Sequence, residues 1–346
     1  MLLDVMKYSF INAKIRAMKG RLIKDTVFQQ LLETTHLDAF IKALMETDYS
    51  VELAAVDTKS PDISEVIDAL DRNLIRQCGT ILKHFIVKNE NKFIRLLLSR
   101  LEIENLKIII RGKFKGITSV MISDNLIPTE GISNLDFEEL VGSKDVEHFV
   151  ALLAGTRYEK PLKRALPIFE RDRRTAVLEY PLDGLYYLEM ANAIKTLSNA
   201  DYRVTKMYLG TFCDITNIIT ILRSRLFFDM ASDEVMTMYI PFGYRLIRTE
   251  AVSLSRAGED DYREVLAKTH YGKRVVNFKQ LSDLEMGLYA ILMGMTKKVL
   301  LGYPFHIGTI TGFIALKEGE VANLKSIAEG KRHGLPEAEI RESLIR

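Results

Sequence analysis

Two short residue patterns recur three times along this 346-residue chain, always in the same order. Leu-x-x-Thr-x-Tyr appears as Leu44/Thr47/Tyr49, Leu153/Thr156/Tyr158 and Leu266/Thr269/Tyr271, with the tyrosines 109 and 113 residues apart. A second anchor, acidic-x-x-Asn-(Leu/Ile)-x-x-Ile-x-x-(Gly/Ser)-(Lys/Arg), reads EIENLKIIIRGK from Glu102, DITNIITILRSR from Asp214 and EVANLKSIAEGK from Glu320. Its asparagines, Asn105, Asn217 and Asn323, follow their tyrosines by 56, 59 and 52 residues. A looser third anchor, Ile-Pro with a glycine two or three positions later, occurs at Ile127/Pro128/Gly131 and Ile240/Pro241/Gly243, and the first copy lacks it.

A period near 110 residues is far longer than the roughly 20–50 residues of a solenoid repeat, so each copy is long enough for its own core. The expectation is three similar domains, 1–117, 118–230 and 231–346. Like domains joined head to tail meet through similar heterologous contacts, which close into a ring when the rotation allows. A pseudo-threefold funnel follows from that geometry.

The expected class is all-α. Leu106/Ile109/Ile110, Ile218/Ile221/Leu222 and Leu324/Ile327/Ala328 stand at i, i+3, i+4, one helical face. Gly112, Ser224 and Gly330 then predict helix termination. Helical spacing also runs through Ile63–Leu82, Phe93–Leu101, Tyr186–Leu197 and Leu284–Val299, while hairpin signals are scarce. Pro61, Pro128, Pro161, Pro181, Pro241 and Pro304 are expected in breaks between helices. No Pro/Gly/Ser linker separates the copies, which predicts closely packed domains.

Composition excludes several roles. A formal charge of +2 is too balanced for recognition dominated by nucleic-acid phosphate. Cys78 and Cys213 lack CxxC spacing and are expected as reduced thiols. Asp4 and Lys7 interrupt the stretch a secretory signal would need, and apolar runs such as Phe149–Ala154 fall well short of the ~20 residues of a spanning helix. There is no Walker phosphate loop, no dinucleotide loop, no HExxH or HxxxH pair and no GxSxG elbow. No cofactor, no nucleotide site, no metal site and no catalytic residue is expected, and the six histidines read as surface or capping residues.

Glu102/Lys113, Asp214/Arg225 and Glu320/Lys331 bracket the apolar stripe three times. They pair with neighbouring helices or, on a sharper reading, face a central partner. The candidate partner-binding residues are the basic helix ends: Arg111, Lys113, Arg223, Arg225, Lys331 and Arg332. Cations there also complement the helix dipole. The triplicated tyrosine is expected to be a packing unit with a buried ring.

These anchors, with Phe10-Ile11-Asn12-Ala13-Lys14-Ile15-Arg16 near the start and Asn323-Leu324, Gly330-Lys331 and Gly334-Leu335-Pro336 near the end, resemble the C subunits of V/A-type rotary ATPases, whose eukaryotic counterpart is the d subunit of the V-ATPase. Lys14 stands where that family often has arginine. The resemblance spans essentially the whole chain. It implies a non-catalytic cytoplasmic funnel, peripheral to the membrane, whose mouth accepts the axle formed by the D and F subunits of the central stalk and whose base rests on the proteolipid rotor ring. The stator membrane subunit is a further candidate partner. A helical scaffold binding some other protein complex would account for the repeat equally well.

Overall fold

The computed structural model of the chain describes residues 2–85, 87–275, 278 and 280–345. Among the described residues there is no strand. The helices begin with α1 (Leu2–Lys19), α2 (Asp25–Glu33), α3 (Leu37–Leu44), α4 (Ser50–Leu53), α5 (Ile63–His84) and α6 (Lys88–Phe114). They continue with α7 (Ser119–Ser123), α8 (Phe137–Val141), α9 (Val146–Leu152), α10 (Glu159–Asp172), α11 (Ala176–Ala193) and α12 (Asn199–Phe228). The last are α13 (Ser232–Thr237), α14 (Arg248–Arg256), α15 (Tyr262–Ala267), α16 (Leu281–Leu301), α17 (Gly308–Arg332) and α18 (Glu337–Glu342). Among the described residues no helix is long and apolar enough to cross a membrane.

The chain divides into two compact units. One comprises Ala17–Ala193 and Glu320–Ser343; the other comprises Ile194–Gly319, the described residues up to Arg16, and those from Leu344 onward. In the first unit α6 packs on α11, which also packs on α10. Leu106, Ile109 and Ile110 of α6 and Leu178, Leu182 and Tyr186 of α11 are all buried. Asp62 caps the start of α5 by accepting from the backbone N–H of Ser64, satisfying one of the donors a helix start leaves open. In the second unit α12 packs on α14 and α16, with Ile218, Ile221, Leu222, Leu254, Leu284 and Leu288 in one core. Each such side chain, fully buried, contributes about 1.5–3 kcal/mol.

A fourth regularity lies in these partner helices. Val66/Leu70/Leu74/Cys78 of α5, Leu178/Leu182/Tyr186/Met190 of α11 and Leu284/Leu288/Leu292/Thr296 of α16 are buried rows at i, i+4, i+8 and i+12. The side chains differ too much for the eye to align them in the sequence, but the periodicity and burial are the same.

Three expectations are corrected. Gly112, Ser224 and Gly330 do not end their helices, which run on to Phe114, Phe228 and Arg332. The stop comes at Gly116 (φ 68°), Asp229 (φ 45°) and Gly334 (φ 65°), whose left-handed backbones turn the chain out of the helix. Gly112 and Gly330 serve a close approach instead: a Cβ on either would lie 2.6 or 2.5 Å from Ile122 or Ile340. In the middle copy the equivalent position is Ser224, and Val235, eleven residues on, is fully buried in the core.

The second correction concerns proline. Pro161 lies in the first turn of α10, where its missing N–H costs nothing, but Pro181 lies inside α11 and Pro167 inside α10. The third is that the helix expected over Tyr186–Leu197 starts at Ala176 and gives way to a 3-10 turn at Ile194–Thr196.

Gly112→Ala should therefore destabilise the protein, because overpacking against Ile122 costs about 1–3 kcal/mol while the gain in helix propensity returns only about 1 kcal/mol. Adding Ile122→Val, which removes the Cδ1 that would lie 2.7 Å from the new methyl, should restore most of the loss. Chemical denaturation of the three proteins checks both statements.

Candidate functional site: three tyrosine–carboxylate joints

The two anchors meet. Tyr49 Oη donates to Glu320 Oε1 at 2.8 Å, Tyr271 Oη donates to Asp214 Oδ2 at 2.7 Å, and Tyr158 Oη donates to Glu102 Oε1. The tyrosine of the second copy thus joins the acid of the first, that of the third joins the acid of the second, and that of the first joins the acid of the third. All three rings are 1% exposed.

Each part of Leu-x-x-Thr-x-Tyr has a task. Leu44, Leu153 and Leu266 are fully buried. Thr47, Thr156 and Thr269 donate to the carbonyls of those leucines at 2.6–2.7 Å. Their hydroxyls also accept, from the N–H of Tyr49, Tyr158 and Gly272. The threonine thus fastens a tight turn that aims the tyrosine inward. Burial pushes the phenols of all three tyrosines upward, and the facing carboxylates push the same way. Each is a donor at every pH near neutrality.

The second carboxylate oxygens, or spare lone pairs, hold nearby chain. Glu102 Oε2 accepts from Ser133 Oγ, and Glu320 Oε2 accepts from the Ile23 N–H at 2.6 Å. Asp214 Oδ2 accepts three successive backbone N–H groups, from Tyr244, Arg245 and Leu246 at 3.0, 2.6 and 3.1 Å. Its Oδ1 is buried without a hydrogen-bond partner, over Gly243, where a Cβ would sit 2.1 Å away. Burial raises the pKa of Asp214 despite the opposing pull of these hydrogen bonds.

The asparagines explain the third anchor. Asn105 pairs with both polar groups of Ile127, accepting its N–H at 2.8 Å and donating to its carbonyl at 2.7 Å. Asn217 does the same to Ile240 at 2.9 Å for both. The isoleucine before each proline is thereby clamped to the long helix 22 or 23 residues upstream.

The six basic candidates are mostly engaged within the fold. Arg111 grips Glu179 with two bonds at 3.0 and 2.6 Å, and Arg223 grips Glu285 likewise at 2.7 and 2.6 Å. Lys113 Nζ reaches Ser119 Oγ at 3.4 Å, and Arg225 donates to the Met230 carbonyl. Lys331, 8% exposed, donates to the Leu32 carbonyl at 2.5 Å, and burial lowers its pKa. Arg332 stands exposed, 3.8 Å from Glu329. The bracketing charges thus pair within the fold, and Glu329 takes the third place in the Arg111/Arg223 series.

One joint escapes the repeat. Asp201, 1% exposed, accepts from Tyr8 Oη and Ser198 Oγ at 2.8 Å through Oδ2, and from the Ile307 N–H at 2.8 Å through Oδ1. In the sequence only its place three residues after the capping Ser198 marks it, as a helix start and no more. Close by, His306 is 9% exposed with Nδ1 unpartnered, in contrast to the surface role expected of the histidines, and burial lowers its pKa. Cys78 and Cys213 are buried. Among the described residues no cluster of three metal-ligating side chains occurs.

Replacing any one joint tyrosine by phenylalanine leaves a buried carboxylate short of a donor, which costs about 1–3 kcal/mol. Tyr271→Phe should lie at the low end, since Asp214 Oδ2 keeps three backbone donors. Gly243→Ala should cost more than Tyr271→Phe, because it drives a methyl into a buried carboxylate oxygen. Thermal melting of the variants gives this ranking.

The family model for the ATP synthase (C/AC39) subunit matches residues 11–343. The A-type ATP synthase C subunit of Methanocaldococcus jannaschii is 30% identical, over all of this chain and 88% of that one. That of Pyrococcus horikoshii is 28% identical over 93% of this chain and 86% of its own. That of Archaeoglobus fulgidus is 28% identical over 98% and 96%. The three repeated joints and the clamps lie inside the matched range, and the chain belongs to the ATP synthase (C/AC39) subunit family, a non-catalytic accessory part of the rotary ATPase.

Proposed function

We propose that this chain is the socket that seats the central stalk of its rotary ATPase on the membrane rotor ring. It consists of three like helical domains, 1–117, 118–230 and 231–346, set around a pseudo-threefold axis as a funnel. The mouth takes the foot of the D–F axle, and the base rests on the proteolipid ring on the cytoplasmic side, near the stator membrane subunit. The observation that carries this reading is the order of the joints: second copy to first, third to second, first to third. A head-to-tail series whose last member meets its first is what a closed ring of three requires.

Torque transmission needs a part that does not shear. Close-packed helix interiors resist compression and pass strain on, and the anchors here are buried hydrogen-bonded joints with no Pro/Gly/Ser linker between copies. Of the basic set, Arg332 and the exposed portions of Arg111 and Arg223 are the cations able to meet the axle, since Lys331 is buried.

Purified D–F complex should be retained by the immobilised chain, and failure of retention would reject the socket. The basic candidates need a separate variant, because Arg111→Glu alone opposes Glu179. Swapping both partners, Arg111→Glu with Glu179→Arg and Arg223→Glu with Glu285→Arg, keeps the internal pairs, each worth up to about 1 kcal/mol. D–F retention should fall severalfold in this quadruple variant; unchanged retention removes these arginines from the interface and leaves the socket standing.

A further inference from the structure

Helix α1 has two apolar faces. Tyr8, Ile11, Asn12 and Ile15 are buried. On the opposite side Leu2, Leu3, Met6 and Phe10 are 76%, 80%, 72% and 63% exposed, and with Ala13 they fall within about 100° of arc. That arc is as wide as the core-facing stripe of an ordinary surface helix. Lys14 borders it on one side and Arg16 on the other, while Lys7, paired with Asp201 at 3.4 Å, and Asp4 lie toward the buried face.

A second exposed apolar group with cations lies in the same unit. Asp201 accepts from Tyr8 with one oxygen and from the Ile307 N–H with the other, so the segment leading into Ile307 runs beside α1. That segment follows the last turn of α16, where Lys297 and Lys298 are exposed, Leu301 is 81% exposed and Tyr303 is 47% exposed. The α1 stripe and, separately, the end of α16 each present large exposed apolar side chains with cations beside them.

We propose that this face lies on an anionic lipid surface. The sign of the charge selects the partner: every charged side chain bordering the α1 stripe is a cation, and so are both at the end of α16. An apolar stripe edged by lysine and arginine is the pattern that inserts into the headgroup boundary of an anionic bilayer, with tyrosine at the same level. Among the described residues no helix can cross a membrane, so the contact is peripheral. Each cation near such a surface strengthens binding about fivefold. This lipid contact is separate from the socket, involving neither the axle nor the ring.

Co-sedimentation of the full-length chain with vesicles tests it. The protein should pellet with phosphatidylcholine vesicles containing phosphatidylglycerol, less so as salt rises, and not with phosphatidylcholine alone. Leu3→Ser/Met6→Ser/Leu301→Ser and, separately, Lys14→Glu/Arg16→Glu should each weaken binding by about tenfold or more. Melting should be nearly unchanged in both, because Leu3, Met6, Leu301 and Arg16 are exposed and Lys14 is half-buried. Failure of the wild-type chain to pellet with the anionic vesicles, or equal binding by the variants, overturns the proposal. So does a result in which the serine variant alters only self-association in analytical ultracentrifugation, which would make the face a contact between copies.

Discussion

The fold depends on one interaction made three times: a fully buried tyrosine hydroxyl donating to the carboxylate that opens the second anchor. A buried carboxylate without donors costs several kcal/mol, so it fixes whatever chain can supply them. Here it draws in the tyrosine turn and the loop upstream of that turn: Ser133 for Glu102, the Tyr244–Leu246 backbone for Asp214, Ile23 for Glu320. Tyrosine spacing, the aspartate nest over Gly243 and the asparagine clamp on the Ile-Pro segments all answer to the same long helix. Each anchor is therefore meaningless alone, which is why the anchors recur in fixed order.

The joint also sets where the helices may end. Once a long helix is held at its acidic residue, the chain leaving its far end must fold back over it, and the buried isoleucine ten residues beyond Gly112 or Gly330 comes down on the helix backbone. Glycine at that point is a matter of room, and the left-handed residue a few positions later is the true stop. The middle copy shows the tolerance of this device. It has serine in place of the glycine, and aspartate in the left-handed position because aspartate visits that region at modest cost.

Much of this is legible in the sequence, and the illegible parts share a cause. The all-helical class, the apolar stripes and the buried tyrosine follow from spacing, because spacing is what burial selects. That the acid of one copy meets the tyrosine of the next does not follow, since pattern matching reports recurrence and not which copies touch. Gly112 and Gly330 read as stops because helix ends and close contacts favour the same residue. Pro181 reads as a break, yet one lost backbone bond is outweighed by the buried row Leu178/Leu182/Tyr186 on the same helix. Asp201 escapes notice because it has no second copy, and Arg111 and Arg223 look free because Glu179 and Glu285 lie more than sixty residues away.

Tyrosine suits these joints better than a second charge would. An arginine facing each buried carboxylate would have to be desolvated as well, and buried ion pairs often return less than that costs. A phenol supplies one donor, fills the core with its ring and loses little rotational freedom when fixed. Its raised pKa keeps the proton in place across the physiological range, so the geometry does not vary with pH. Arg157, which joins Tyr158 and Glu102, sits at the rim of its joint with part of its side chain in water. The charged pairs Arg111–Glu179 and Arg223–Glu285 are likewise left at the surface, where their arginines remain about half exposed. Rigidity is thus assigned to neutral donors inside and adaptable charge to the outside, the division expected of a protein that must keep its shape while partners bear on its surface.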